Sequence, residues 1–177
     1  MPHSSQPCPC QLNPLSVNES KLSYSDCCQP YHNGINTADG TDGTDGTKAN
    51  SAERLMRSRY SAFVLVKPEY IIQTTVPTQQ SLLDIQAIER WAKETDWAGL
   101  QIINHVPKLG KRHAQVEFKA FYSTEQGQQA HHELSSFVRI KKCWYFLDPT
   151  VSMSVTQKQP CLCGSGEKFK RCCGRFI

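Results

Sequence analysis

Ala114-Gln115-Val116-Glu117-Phe118-Lys119-Ala120-Phe121-Tyr122 decides the fold class. Ala114, Val116, Phe118, Ala120 and Tyr122 recur with period two, with Gln115, Glu117 and Lys119 between them, so residues 113–122 are predicted to form a half-buried strand. Outward toward the C-terminus, Ser123 to Gln129 reads as a polar connection. Leu134 to Ile140 and Cys143 to Leu147 read as two further strands joined near Lys141-Lys142. A fourth strand is expected over Leu100–Val106.

Upstream of Trp97 the period changes. Leu55, Met56, Tyr60, Phe63 and Val64 recur at three- and four-residue steps, an amphipathic helix that Ser51 can cap and whose first turn suits Glu53. Arg54, Arg57 and Ser61 fall on its opposite face, expected to be the wetter one. Pro68 ends the run and starts a short helix through Tyr70, Ile71 and Ile72. A third helix is expected from Ser81, with Ser81-x-x-Asp84 as its capping box and Leu82, Ile85, Ile88 and Trp91 as its stripe. Helices followed by antiparallel strands make an α+β domain over roughly 51–150.

The flanks have another composition. Residues 1–34 are rich in Pro, Cys, Ser and Asn and hold too few apolar side chains for a core. Residues 35–50 contain an Asp-Gly-Thr triplet repeated from Asp39 to Thr47 and are expected to be a flexible linker. A calcium loop would need acidic ligands at every second position, and here they recur at every third. Residues 151–177 close the chain.

Nine cysteines in 177 residues are the anomaly, and eight of them lie within 28 residues of one end. Each end repeats the order Cys-x-Cys, a gap, then Cys-Cys: Cys8, Cys10, Cys27 and Cys28 at one, Cys161, Cys163, Cys172 and Cys173 at the other. Four thiolates at ~2.3 Å around a tetrahedral ion form a closed zinc site. Gly164 and Gly166 provide the tight turn after the second sulfur, and Phe169 is the large apolar side chain of an otherwise coreless unit. Such segments need a metal to fold. Vicinal pairs such as Cys172-Cys173 bridge only with strain, iron–sulfur spacings differ, and copper(I) is the softer competitor. The expected cofactor is therefore Zn2+, two per chain. The N-terminal set has a longer gap and lacks the Gly-Ser-Gly turn, and His32 is an alternative fourth ligand to Cys28.

Lys and Arg number 20 against 16 Asp and Glu, a formal charge of +4. A dication held by four thiolates carries about two negative charges, so two such sites bring the chain near neutrality. Lys168, Lys170, Arg171 and Arg175 then serve as local counter-charge, with nucleic-acid phosphate as the rival partner. There is no basic start followed by an apolar run, and no stretch long enough to span a bilayer. The expectation is a soluble cytoplasmic protein without membrane insertion.

Cys161-Leu-Cys163-Gly-Ser-Gly-Glu-Lys-Phe169-Lys-Arg-Cys172-Cys173-Gly resembles the SEC-C motif, the zinc-binding tail of the translocation motor SecA. That resemblance implies Cys161, Cys163, Cys172 and Cys173 as ligands, and a tail of the kind that docks a chaperone in SecA. Two tetrads around an α+β domain resemble the YchJ family of bacterial proteins, as do Leu55-Met-Arg-Ser-Arg-Tyr-Ser-Ala-Phe63, Cys27-Cys-Gln-Pro-Tyr31 and Trp144-Tyr-Phe-Leu-Asp148. The family resemblance implies a ketosteroid-isomerase-like cone, a curved sheet wrapped around helices with an internal cavity. It brings no biochemical activity with it.

No catalytic spacing is evident. Tyr60, Tyr70, Arg139 and Asp148 are the candidate pocket residues, and His105, His113, His131, His132 and Glu133 are further polar candidates. On a strand His131 and His132 face opposite ways. Cys143, beside Trp144, reads as an inert thiol. The favoured reading is a non-enzymatic zinc protein whose knuckles dock an unidentified protein partner. The alternatives are a small-ligand carrier or enzyme using the cone cavity, and a nucleic-acid binder through the basic C-terminal knuckle.

Overall fold

The structure is a computed structural model that describes residues 5–16, 20–34 and 48–177. The Asp-Gly-Thr run expected as a linker lies outside the described residues. In chain order the helices are α1 Tyr24–Cys27, α2 Gln29–Gly34, α3 Ala52–Val64, α4 Pro68–Gln73, α5 Pro77–Gln80 and α6 Ile85–Glu94. The strands β1 Asp96–Leu109, β2 His113–Thr124, β3 Gly127–Ile140 and β4 Cys143–Leu147 follow. They form one antiparallel sheet in the order β1-β2-β3-β4, so the fold is α+β.

The helix starts follow their capping chemistry. Ser51 accepts a hydrogen bond from the Arg54 amide and opens α3, and Pro68 stands in the first turn of α4. The third expected start is corrected: Asp84, not Ser81, caps α6, its carboxylate accepting from the Gln86 and Ala87 amides. Ser81 instead ends α5, a short helix opened by Pro77. β3 is longer than its apolar pattern, because Gly127 to Glu133 continues the backbone ladder with β2 although its side chains are polar.

Ala114, Val116, Phe118, Ala120 and Phe137 line the sheet face that α3 covers with Leu55, Met56 and Tyr60. The opposite face carries Val138 and Leu147, buried beneath the C-terminal segment. Register shifts in β1 mark irregularities that bend the strand, one of them at Gly99. There the Leu100 amide donates to the Leu12 carbonyl at 2.7 Å, tying the N-terminal segment to the sheet.

Gly99 has φ +142°, and a Cβ on it would stand 2.7 Å from both the Leu12 carbonyl oxygen and Pro14 Cδ. Gly99→Ala is therefore expected to cost about 1–3 kcal/mol, read as a lower thermal midpoint. An unchanged midpoint would mean that this crossing contributes nothing.

Candidate functional site

The N-terminal cysteines are brought together by a short turn and a short helix. Cys8 donates its amide to the Leu22 carbonyl (2.9 Å) and Tyr24 to that of Gln6 (2.8 Å), pairing the two halves of the segment. Ser23 caps α1, which carries Cys27 and is followed by Cys28. The four sulfurs, all buried, lie within 4.8 Å of one another. Cys10 Sγ is 3.7, 3.5 and 3.6 Å from those of Cys8, Cys27 and Cys28, and Cys27 and Cys28 are 3.8 Å apart. Sulfurs ~2.3 Å from a tetrahedral zinc would stand about 3.8 Å from each other, so the donor set and its spacing fit zinc.

The C-terminal set is built around two glycines at positive φ, Gly164 (72°) and Gly166 (77°). The Cys161 amide donates to the Glu167 carbonyl (2.8 Å) and the Phe169 amide to that of Gln159 (2.8 Å), folding the loop back. Cys163 and Cys172 Sγ are 3.5 Å apart, and the Cys173 amide and Ser165 hydroxyl donate to the sulfurs of Cys161 and Cys172. These four also lie within 4.8 Å of one another. Each cluster could hold one zinc ion, and among the described residues these are the two groups of that kind.

Thiol ionisation agrees with this chemistry. The hydrogen bond with Cys173 holds Cys163 down at about 4, while burial first of all pushes Cys172 up to about 11. In the other cluster Cys8 falls to about 7, chiefly through its bond with Cys10, and Cys28 is pushed up by its bonds with Cys10 and Cys27. Four crowded sulfurs can all be thiolates only around a cation.

The surroundings of the sulfurs were less legible in sequence. The α3 face expected to be wet is covered by the N-terminal knuckle. Arg54 Nη2 donates to the Cys27 carbonyl and Arg57 Nη1 to that of Cys10, both at 3.1 Å, and Ser61 Oγ is 3.4 Å from Cys8 Sγ. His32 is not the fourth member of the cluster. Its Nε2 donates to the Ser58 carbonyl (2.9 Å) and its Nδ1 accepts from the Tyr24 hydroxyl (2.7 Å), leaving no nitrogen for a metal. At the other end His113 Nε2 lies 3.4 Å from Cys173 Sγ, and the ring stacks on Phe176. His113 thus belongs to the metal centre and not to a pocket.

Between the helices and the inner sheet face lies a cavity of about 440 Å³. Its walls are largely apolar, with Phe63, Trp91, Trp97, Phe118, Phe137 and Phe146 among them. Tyr60 and Asp148 line it. Tyr60 is buried edge-on to Trp97 at 5.8 Å, and burial pushes its hydroxyl pKa upward. One oxygen of Asp148 accepts from both the amide and the hydroxyl of Thr150.

Tyr70 and Arg139 stand elsewhere. Tyr70, bonded to Ser58 Oγ at 2.7 Å, lines a second cavity of about 230 Å³ together with Cys143. Arg139 is exposed and lines neither. His131 and Glu133 join the larger cavity. There Glu133 accepts from the Ser135 hydroxyl and its other oxygen lies 2.9 Å from His131 Nε2. His132 points away and pairs with Glu117, and His105 Nδ1 faces Glu53.

Arg59 is the arginine at the cavity wall. It is 8% exposed, its Nη1 donates to the Ile71 carbonyl and to the hydroxyls of Thr74 and Thr75, and its guanidinium lies 4.4 Å over the Phe146 ring. Among the described residues no carboxylate oxygen comes within 4.0 Å of it. Burial lowers its pKa to about 10, opposed by the fields of Asp148 and Glu133.

The geometry matches a described lineage along the whole chain. Residues 51–149 match the family model of the YchJ middle NTF2-like domain, and residues 3–36 that of the YchJ N-terminal zinc binding domain. The chain belongs to the YchJ family. Residues 158–175 also match the SEC-C motif. A UPF0225 protein of Actinobacillus succinogenes is 48% identical over 170 residues, covering 96% of this YchJ-family chain and 97% of its own. A UPF0225 protein of Haemophilus influenzae is 46% identical, covering 98% and 95%. The crystal structure of a SEC-C motif containing protein from Psychrobacter arcticus is 64% identical, with a TM-score of 0.92 and all of both chains covered. The solution structure of a SEC-C motif containing protein from Rhodopseudomonas palustris is 32% identical, with a TM-score of 0.60 over 73% of this chain and 91% of that one. This is a zinc-binding family, and among the described residues no helix is long and apolar enough to cross a membrane.

Proposed function

We propose that this YchJ-family protein binds a small organic molecule in the cavity between its helices and sheet, and that its two zinc knuckles are structural clasps on that container. The observation that carries this reading is the cavity itself. About 440 Å³ is within the usual range for small-molecule sites, and its apolar walls carry a few converging polar groups: Arg59, Glu133, Ser135 and Asp148. The clasp role is supported by the packing of both tetrads. One shares a buried cluster with Leu55, Met56 and Tyr60, the other with Val76, Val138 and Leu147. A closed four-sulfur shell leaves no open position for Lewis-acid chemistry.

The test is native mass spectrometry of protein desalted from a small-molecule extract of cells. A discrete added mass on the two-zinc protein, lost when Ala120→Trp fills the cavity, is the expected result. An absence of adducts across extracts would overturn the reading.

One observation favours a second reading, docking of a protein partner. Leu12, Leu15 and Leu22, beside the N-terminal knuckle, are exposed. Affinity capture with and without a zinc chelator distinguishes the two readings, because a knuckle-docked partner is released on chelation.

A further inference from the structure

We infer that the molecule taken by this cavity is a monoanionic aromatic acid whose carboxylate docks on the free edge of the Arg59 guanidinium. The inference rests on the cavity reading above and narrows it to a chemical class. Nη1 is fully engaged with protein acceptors. Among the described residues Nε and Nη2 have no hydrogen-bond partner, and Arg59 lines the cavity. A guanidinium edge with parallel N–H donors matches the two oxygens of a carboxylate. A buried cation without an ion-pair partner also gains more from a bound anion than an exposed one does.

Each carboxylate on the cavity wall already receives at least one donor, Asp84 from the Gln86 and Ala87 amides. Glu133 receives the Ser135 hydroxyl and faces His131, and Asp148 receives two donors from Thr150. Arg59 is the group with donors to spare, so the head it selects is an acceptor and not an ammonium group. The three carboxylates that line the cavity, Asp84, Glu133 and Asp148, in turn repel a second negative charge, which selects a carboxylate over a phosphate monoester. Phe118, Phe137 and Phe146 beside Trp91 and Trp97 suit a flat apolar body.

The experiment uses the full-length zinc-loaded protein and ligand-observed and protein-observed NMR. The probes are phenylacetate and 2-naphthoate, set against phenylacetamide, 2-naphthamide, phenethylamine and phenyl phosphate. The carboxylates are expected to shift cavity resonances and to bind about 10- to 100-fold more tightly than the amides, the range for a hydrogen bond to a charged group. Arg59→Met should remove that preference while leaving amide binding in place. Should Arg59→Met not fold, Glu133→Gln tests the same electrostatics, since removing the nearby charge should tighten carboxylate binding several-fold and leave the amides unchanged. Equal binding of acids and amides, preference for the amine, or weaker acid binding by Glu133→Gln would overturn the inference while the cavity reading stands. Cavity resonances unmoved by every probe would remove both.

Discussion

Cys28→Ser should leave one zinc per chain where the intact protein is expected to hold two, and should lower the thermal midpoint of the whole molecule by roughly 8–16 °C. The size follows from where the knuckle sits. Cys8, Cys10, Cys27 and Cys28 are at most 1% exposed and share one apolar cluster with Leu55, Met56, Leu100 and Val116. The metal lets four thiolates occupy that cluster, and a structural zinc in a small finger is worth about 10–16 kcal/mol of apparent folding energy. Arg54 and Arg57, which donate to the Cys27 and Cys10 carbonyls, lose ordered acceptors when the loop opens. If about 4 kcal/mol of this reaches the cooperative unit, the midpoint falls by the stated amount, at 2–4 °C per kcal/mol for a chain of this size. Elemental analysis and calorimetry on the same sample check both numbers. A midpoint within 2 °C of the parent would mean that the N-terminal knuckle is an appendage, not a clasp.

Cys172→Ser is expected to have the second-largest effect. The C-terminal knuckle lies on the outer sheet face, where Val76, Val138 and Leu147 are fully buried and His113 reaches Cys173. Opening it wets those side chains, each worth about 1.5–3 kcal/mol when fully exposed. Partial exposure sets the expected loss at about 2–4 kcal/mol. Limited proteolysis should cut beyond residue 151 while the remainder still melts cooperatively at a reduced temperature. An unaltered midpoint would show that the outer face does not depend on its cover. His113→Phe, which keeps the stack on Phe176 but removes the donor to sulfur, should give a smaller decrease with both zinc ions retained.

Much of this architecture was legible because local chemistry and global packing agree. Ser51 and Pro68 start helices for reasons that act within one turn, and the alternation through Ala114, Val116 and Phe118 reflects a sheet with one face on the core. The sulfur spacing disclosed both clusters, since four soft ligands at these separations have few other uses. The first half of β3 was hidden because Gln128 to Glu133 carries no apolar alternation and is held by backbone pairing with β2. Ser81 and Asp84 are both capping types, and what separates them is the helix that Pro77 opens just upstream.

The site was harder to read, for a physical reason. Arg54, Arg57 and Ser61 have the composition of a solvated face. Their partners are the carbonyls and sulfur of a segment 27 to 53 residues away, which no local pattern announces. Arg59 falls on the same helix, and nothing in its neighbours distinguishes an arginine at a cavity wall from one at a core edge. Arg139 has the strand parity of Phe137, but it stands at the end of β3, beyond the cover of the helices. Asp148 directly follows the last strand residue, Leu147, and lines the larger cavity.

The most direct test of the account separates cavity from knuckle. Methyl-labelled protein reports on both through Met56, Ile71 and Ile88, which line the cavity, and Ile140 and Met153, which pack against the C-terminal knuckle. Cell extract split by ultrafiltration into small-molecule and macromolecular fractions is titrated into it. The account predicts that the small-molecule fraction shifts Met56, Ile71 and Ile88 and leaves Ile140 and Met153 in place. Shifts confined to Ile140 and Met153, produced by the macromolecular fraction alone, would contradict it.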